Sequence, residues 1–140
     1  MTENPLQQAR QAVATMYAED QASRSLGIVI EDVAPGQATA RMRVTAAMVN
    51  GHAIAHGGYI FLLADTAFAF ACNTYGPTVA GAAEIVFVQP ATEGEELVAE
   101  AKERVRFGQN GIYDVTVRNG TGEVVAEFRG HSRRIRARAE

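Results

Sequence analysis

Between Gly57 and Cys72 the sequence carries one charged side chain, the carboxylate of Asp65, inside a run that is otherwise apolar: Tyr59, Ile60, Phe61, Leu62, Leu63, Ala64, Ala67, Phe68, Ala69, Phe70 and Ala71. Burying a carboxylate without compensation costs several kcal/mol, on the order of Born-type penalties after relaxation. Such a residue therefore has either a partner or a use. The structural reading is an aspartate capped by backbone amides or paired with an arginine. The chemical reading is a catalytic carboxylate facing a cleft, acting as general base or nucleophile.

Gly57-Gly58 stands where a loop enters this run. The free N–H groups of a first helical turn point outward with partial positive charge, and glycine lets a ligand approach them. Together they can stabilise a developing oxyanion, although close helix-to-sheet packing also calls for glycine. Asp65 lies eight residues after Gly57, about 12 Å along a helix at 1.5 Å per residue. One helix cannot aim both groups at one carbonyl carbon. If both serve one reaction, they come from two copies, most simply antiparallel across a two-fold axis.

The remaining candidates are weaker. His52 and His56 are spaced i, i+4 ahead of the helix, but no third ligand is near, so no metal is expected. His56 is expected to brace the loop by hydrogen bonding. His131 reads as solvated surface, Ser132 has no triad partners, and Cys72 reads as an inert core thiol. Arg104, Arg106, Arg129, Arg133 and Arg134 could meet phosphates; the plainer expectation is an outer face with salt bridges to Glu100, Glu103 and Glu127. Tyr59, Phe61, Phe68 and Tyr75 could line a pocket or belong to the core.

The elements that must position these groups follow from periodicity. Asn4-Pro5 predicts a helix start, with helix continuing through Gln8, Val13, Met16 and Tyr17 and fading between Ser23 and Gly27. Leu26, Ile28 and Ile30 predict a first strand, Ala34-Pro35-Gly36 a turn, and Ala38, Ala40, Met42 and Val44 a half-buried second strand. Val49 to His56 reads as a loop. Gly57 to about Asn73 reads as a helix, by length and alanine content, stopped by Tyr75-Gly76-Pro77. Strands follow at Val79–Val88, at Glu96–Phe107 with Leu97, Ala99, Ala101, Val105 and Phe107 on one face, at Tyr113–Val117, and from Val124 through Phe128. Their turns fall at Gln109-Asn110-Gly111 and Asn119–Gly122.

A helix that is apolar on every side must be surrounded by protein. An α+β architecture results, in which an antiparallel sheet curls around the helix. One sheet cannot cover every side, so an oligomer is expected.

The chain has 140 residues, enough for one domain spanning 1–140, with a helical segment at 1–25 and a frayed tail at 136–140. Hydrophobic residues make up 47% and charged residues 21%, which argues against wholesale disorder. A net charge of −3 disfavours nucleic acid as the main partner. Met1 to Gln11 lacks the apolar core of a secretory signal, and Tyr59–Cys72 is too short and too polar at its centre to span a bilayer. One cysteine rules out an intrachain disulfide framework and suits a reducing, cytoplasmic compartment.

The pattern Asn50-Gly51-His52, three residues, His56-Gly57-Gly58, six residues, Asp65 resembles the motif of hotdog-fold acyl-CoA thioesterases. The run from Asn50 to Asn73, with Leu63-Ala64-Asp65-Thr66-Ala67-Phe68-Ala69, is particularly similar to the PaaI-type branch linked to bacterial phenylacetate catabolism. Phe128-Arg129-Gly130 also fits, and the likeness extends from Leu26 to Ile135. It implies a hotdog fold, in which an antiparallel sheet wraps a central helix, in dimers usually paired into tetramers. It implies hydrolysis of an acyl-CoA, such as phenylacetyl-CoA or a hydroxylated aryl-acetyl-CoA, with no metal or redox cofactor.

By the same resemblance Asp65 is the carboxylate that activates water or attacks the carbonyl. Gly57 supplies the polarising N–H across a subunit interface, with Gly58 in support. Asn50 is the amide that positions water or substrate, and His56 orders the turn. Some relatives carry glutamate at the Asp65 position, and the shorter aspartate leaves room for an intervening water. The alternatives are a hotdog enoyl-CoA hydratase or dehydratase, which would need His52 or His56 beside Asp65 of a partner, and a noncatalytic acyl-CoA-binding module.

Overall fold

The computed structural model describes residues 4–135, so the expected frayed tail lies outside the described residues. Asn4 caps the first helix: its side chain accepts from the Gln7 N–H at 2.8 Å while Gln7 reaches back to the Asn4 N–H, a reciprocal cap with proline at the first position. This helix, α1 (Pro5–Glu19), breaks at Asp20. That side chain accepts from Ser23 N and starts a second short helix, α2 (Gln21–Ser25), where the sequence predicts one fading helix.

The remaining elements are β1 (Val29–Ala34), β2 (Gln37–Arg43), α3 (Gly57–Cys72), β3 (Thr78–Phe87), β4 (Glu96–Phe107), β5 (Asn110–Arg118) and β6 (Val124–Arg134). The strands form one antiparallel sheet in the order β1-β2-β4-β5-β6-β3. The sheet wraps α3, as expected. No helix among the described residues is long and apolar enough to cross a membrane.

Small residues let the sheet come close to the helix. Ala38, Ala40 and Met42 of β2, Leu97, Ala99 and Ala101 of β4, Tyr113, Val115 and Val117 of β5, and Ala126 and Phe128 of β6 are all buried against Ile60, Leu63, Ala64, Ala67, Phe68 and Ala71 of α3. Phe68 anchors the centre, 5.7 Å from the ring of Tyr113 and 5.8 Å from that of Phe128. Gly130 passes under this ring; a Cβ there would sit 2.7 Å from Phe68. Truncating Phe68 to alanine would cost about 3–5 kcal/mol, the usual range for a buried aromatic.

Two strand expectations need correction. Val105 and Phe107 do not share a face with Leu97, Ala99 and Ala101; they are 43% and 52% exposed. The β4–β5 register slips between Glu103 and Val105, and an extra residue inverts the in-and-out alternation beyond it. The β4–β5 turn is centred on Gly108-Gln109, not on Asn110-Gly111, since Phe107 pairs with Asn110. Gly108 has φ +58, the glycine-first pattern of a two-residue hairpin. The end of α3 falls where the sequence places it, near Asn73, but the device that stops it differs. The helix stops at Cys72, where the Asn73 side chain donates to Ala69 O (2.8 Å) and Thr78 O (2.9 Å) and accepts from Thr78 N (2.9 Å), ahead of Tyr75-Gly76-Pro77.

Candidate active site

The loop before α3 is tied before it reaches the helix. Val49 bridges Ala55, Ala55 N donates to Ala91 O at 2.7 Å, and His56 N donates to Met48 O at 2.7 Å. Within it, Asn50 N donates to Ile54 O at 2.8 Å, and the Asn50 side-chain oxygen accepts from His52 N at 2.9 Å. Ala53 is held at φ +61, a left-handed conformation that costs a non-glycine residue on the order of 1 kcal/mol. The oxygen of Asn50 is thus used by its own loop, while its Nδ2 has no acceptor among the described residues and can still donate.

His56 caps α3. Its Nδ1 accepts from Gly58 N at 3.0 Å, so the imidazole carries a lone pair on that nitrogen, and its ring meets Tyr59 edge-on at 6.5 Å. The Gly58 N–H is therefore occupied. The N–H of Gly57 has no acceptor among the described residues. Gly57 lines a cavity of about 380 Å³ together with Asn50, Ile54, Ile60, Phe87 and Val88 among others. The walls are mostly apolar, with a free amide donor at the helix end: a site for an apolar group attached to a polar carbonyl.

Asp65 of the same chain does not line this cavity. It lies on the partly exposed stripe of α3, with Gly58 exposed and Leu62, Asp65 and Ala69 half-buried at three- and four-residue spacing. Burial pushes its pKa above the ordinary carboxylate value, with no hydrogen bond or ion pair among the described residues to offset the shift. The structure thus brings Asn50 and Gly57 together, seats His56 beside them, and sets Asp65 apart.

The aromatic candidates are placed elsewhere. Phe68 is core, Phe61 packs on Phe128 at 5.4 Å, and Tyr75 lies under the guanidinium of Arg106 at 3.5 Å. Phe87 is the ring at the cavity, and sequence periodicity gives no hint of it, because a strand-end aromatic meets Gly57 only through the fold. Among the arginines, Arg129 holds Asp114 in a two-pronged ion pair (2.7 and 3.0 Å), not Glu127, and pulls its carboxyl below the usual range. Arg106 pairs with Glu103 at 3.1 Å, and Arg134 donates to Tyr75 O at 3.0 Å. Cys72 is buried, and burial pushes its thiol up to about 12.

Comparison with known proteins bears on this geometry. The sequence pattern of the "Thioesterase superfamily" matches residues 52–126, which span both Gly57 and Asp65. The chain is 45% identical over 128 residues to the acyl-coenzyme A thioesterase PaaI of Escherichia coli, covering 91% of each protein. The solved structure of the E. coli PaaI protein from the phenylacetic acid degradation operon superposes with a TM-score of 0.93 at 43% identity, covering 96% of this chain and 98% of that one. A mutant of the phenylacetic acid degradation protein PaaI from Thermus thermophilus gives a TM-score of 0.81 at 35% identity, covering 83% of this chain and 100% of that one. The matched profile, the close relative and the shared sheet-around-helix structure together establish that the chain belongs to the thioesterase superfamily, as a PaaI-like thioesterase of the hotdog fold.

Proposed function

We propose that this thioesterase hydrolyses an acyl-CoA, with phenylacetyl-CoA or a hydroxylated aryl-acetyl-CoA as substrate, to the free acid and CoA. The observation that carries the reading is the division of labour along α3: an unpartnered, half-buried Asp65 at one place and an open Gly57 N–H at another, about 12 Å apart by helix rise. One reaction uses both when two copies of α3 run antiparallel across a two-fold axis. Two features support that pairing. The partly exposed stripe of α3 is apolar around Asp65. The edge strand β3, ten residues long, pairs with β6 on one side only and leaves its outward backbone groups without a strand partner, with Val79, Val86 and Phe87 exposed. Two chains joined there form the working dimer, and the likeness to hotdog enzymes carries the further pairing of dimers into a tetramer in the cytoplasm.

In the reaction, the thioester oxygen sits at the Gly57 N–H of one subunit. Asp65 of the other takes a proton from water, whose oxygen attacks the carbonyl carbon. The negative charge gathers on the oxygen at Gly57 and at the positive end of the helix. Collapse breaks the carbon–sulfur bond, and the departing CoA sulfur recovers the proton from Asp65. Asn50 Nδ2 orients the water or substrate, and His56 holds the first turn so that the Gly57 N–H stays aimed outward. Burial favours this chemistry, because a desolvated carboxylate is a stronger base.

The test mixes two inactive variants. Asp65→Asn and Gly57→Val are each assayed for CoA release, then unfolded together and refolded. A shared site predicts restored activity in the mixture, since one of the two sites in a mixed dimer is intact. Silence of the mixture while each variant folds would remove the cross-subunit mechanism. Hydration of an enoyl-CoA without CoA release would favour the hydratase alternative, and tight binding without turnover the binding module.

A further inference from the structure

Position 57 is crowded from outside its own helix. A Cβ built on Gly57 would lie 3.0 Å from Phe87 Cζ and 3.3 Å from Phe87 Cε1. The nearest neighbours of that position are thus the tip and flank of an aromatic ring that comes from the last residue of β3, thirty positions away in the chain. This ring is half exposed and lines the same cavity as Asn50, Ile54, Ile60 and Val88. Aliphatic side chains form most of the other walls, so Phe87 is the aromatic surface among the residues lining the cavity.

We infer that Phe87 is a specificity-determining residue, a wall that reads the first carbons of the acyl group beside the carbonyl and favours a flat aromatic ring set one methylene from it. The inference rests on the thioesterase reading and deepens it. A carbonyl oxygen hydrogen-bonded to the Gly57 N–H places its carbon within about 4 Å of that nitrogen. The next carbons of the acyl chain must pass the ring that overhangs Gly57. An unbranched CH₂ passes it; a substituent on that carbon meets the ring. A planar group beyond the methylene can pack against Phe87 offset or edge-on, a geometry that adds to simple area burial. A flexible straight chain gains burial without that increment. The crowding also gives Gly57 a second reason to be glycine, because a Cβ there would press on the ring that sorts the acyl group and shift it by a few tenths of an ångström.

The experiment compares ratios within each protein, so a partly unfolded preparation does not distort it. CoA release is measured as kcat/KM for phenylacetyl-CoA, hexanoyl-CoA and 2-phenylpropionyl-CoA in the wild type, Phe87→Leu and Phe87→Ala. Leucine keeps bulk and removes the ring; alanine removes both. The expected result is a phenylacetyl-to-hexanoyl ratio that falls about 2- to 10-fold in both variants, the range for aromatic pairing. The α-branched substrate should gain on phenylacetyl-CoA in Phe87→Ala more than in Phe87→Leu. Ratios unchanged in both variants, beside an active wild type, would overturn the role of Phe87 and leave the thioesterase reading standing. A wild type that releases CoA from none of the three would overturn that reading, and this inference with it.

Discussion

The two ends of α3 are built on opposite plans. At the C-terminal end the polar groups are closed off: Asn73 makes three hydrogen bonds to Ala69 and Thr78, and the buried Thr74 hydroxyl donates to Ala71 O at 2.7 Å and accepts from Gly36 N at 2.8 Å. At the N-terminal end one amide is capped by His56, and its neighbour, Gly57, has no acceptor among the described residues and lines a cavity. A helix end with all its groups satisfied contributes stability. An end with one donor left over offers a place for charge to develop on a ligand. The same helix closes its polar groups at one end and leaves a donor unpaired at the other, the end to which the proposal assigns the oxyanion.

The largest test of this contrast is Asp65→Asn, which should lower kcat by at least about 10²-fold, the usual size of a general-base effect. Thiol release by the variant at wild-type rate would break the assignment. Next comes Asn73→Ala. Losing three hydrogen bonds at a half-buried site should cost about 2 kcal/mol in denaturant unfolding, with kcat of the folded enzyme retained. A variant that keeps its stability but loses turnover would reverse the roles assigned to the two ends. His56→Ala should cost about 1 kcal/mol, the value of an N-cap, and should also reduce turnover. His56→Ser should recover most of the stability; full stability in the alanine variant would show that no cap operates.

The smallest effect is in pH. Burial raises Asp65 above its unfolded value of about 3.9, so the folded chain holds this proton more tightly than the unfolded one. The stability from this group is fully present below the unfolded value and is lost as pH rises through the raised folded value. Asparagine has nothing to ionise, so Asp65→Asn should gain stability relative to wild type across that window, measured by urea unfolding at several pH values. Activity should move the other way in the wild type, rising with pH as the carboxylate becomes available. An acid limb at or below the ordinary aspartate value would remove the case for a desolvated base.

Much of this arrangement was legible from residue order. An apolar run with one aspartate announces a buried helix carrying a desolvated carboxylate, and period-two patterns mark the strands. What escaped depends on distant contacts. The slip after Glu103 turned Val105 and Phe107 outward, because a bulge inverts alternation without altering composition. The β4–β5 turn moved because Gly108, not Gly111, takes the left-handed conformation; Gly111 is glycine for another reason, since a Cβ there would lie 2.7 Å from Ser132 Oγ. The proposed site residues Asp65, Gly57, Asn50 and His56 stand in one short stretch of sequence and could be singled out. The cavity wall at Phe87 comes from a remote strand, and only the closed sheet sets it beside Gly57.

The seclusion of Cys72 bears on how such a catalyst survives its own substrate. Activated acyl groups migrate readily to exposed thiolates. The chain's sole cysteine is buried, and burial pushes its thiol up to about 12, so it presents no exposed thiolate. A thiol-trapping dye added to the native protein is therefore expected to count released product and not Cys72.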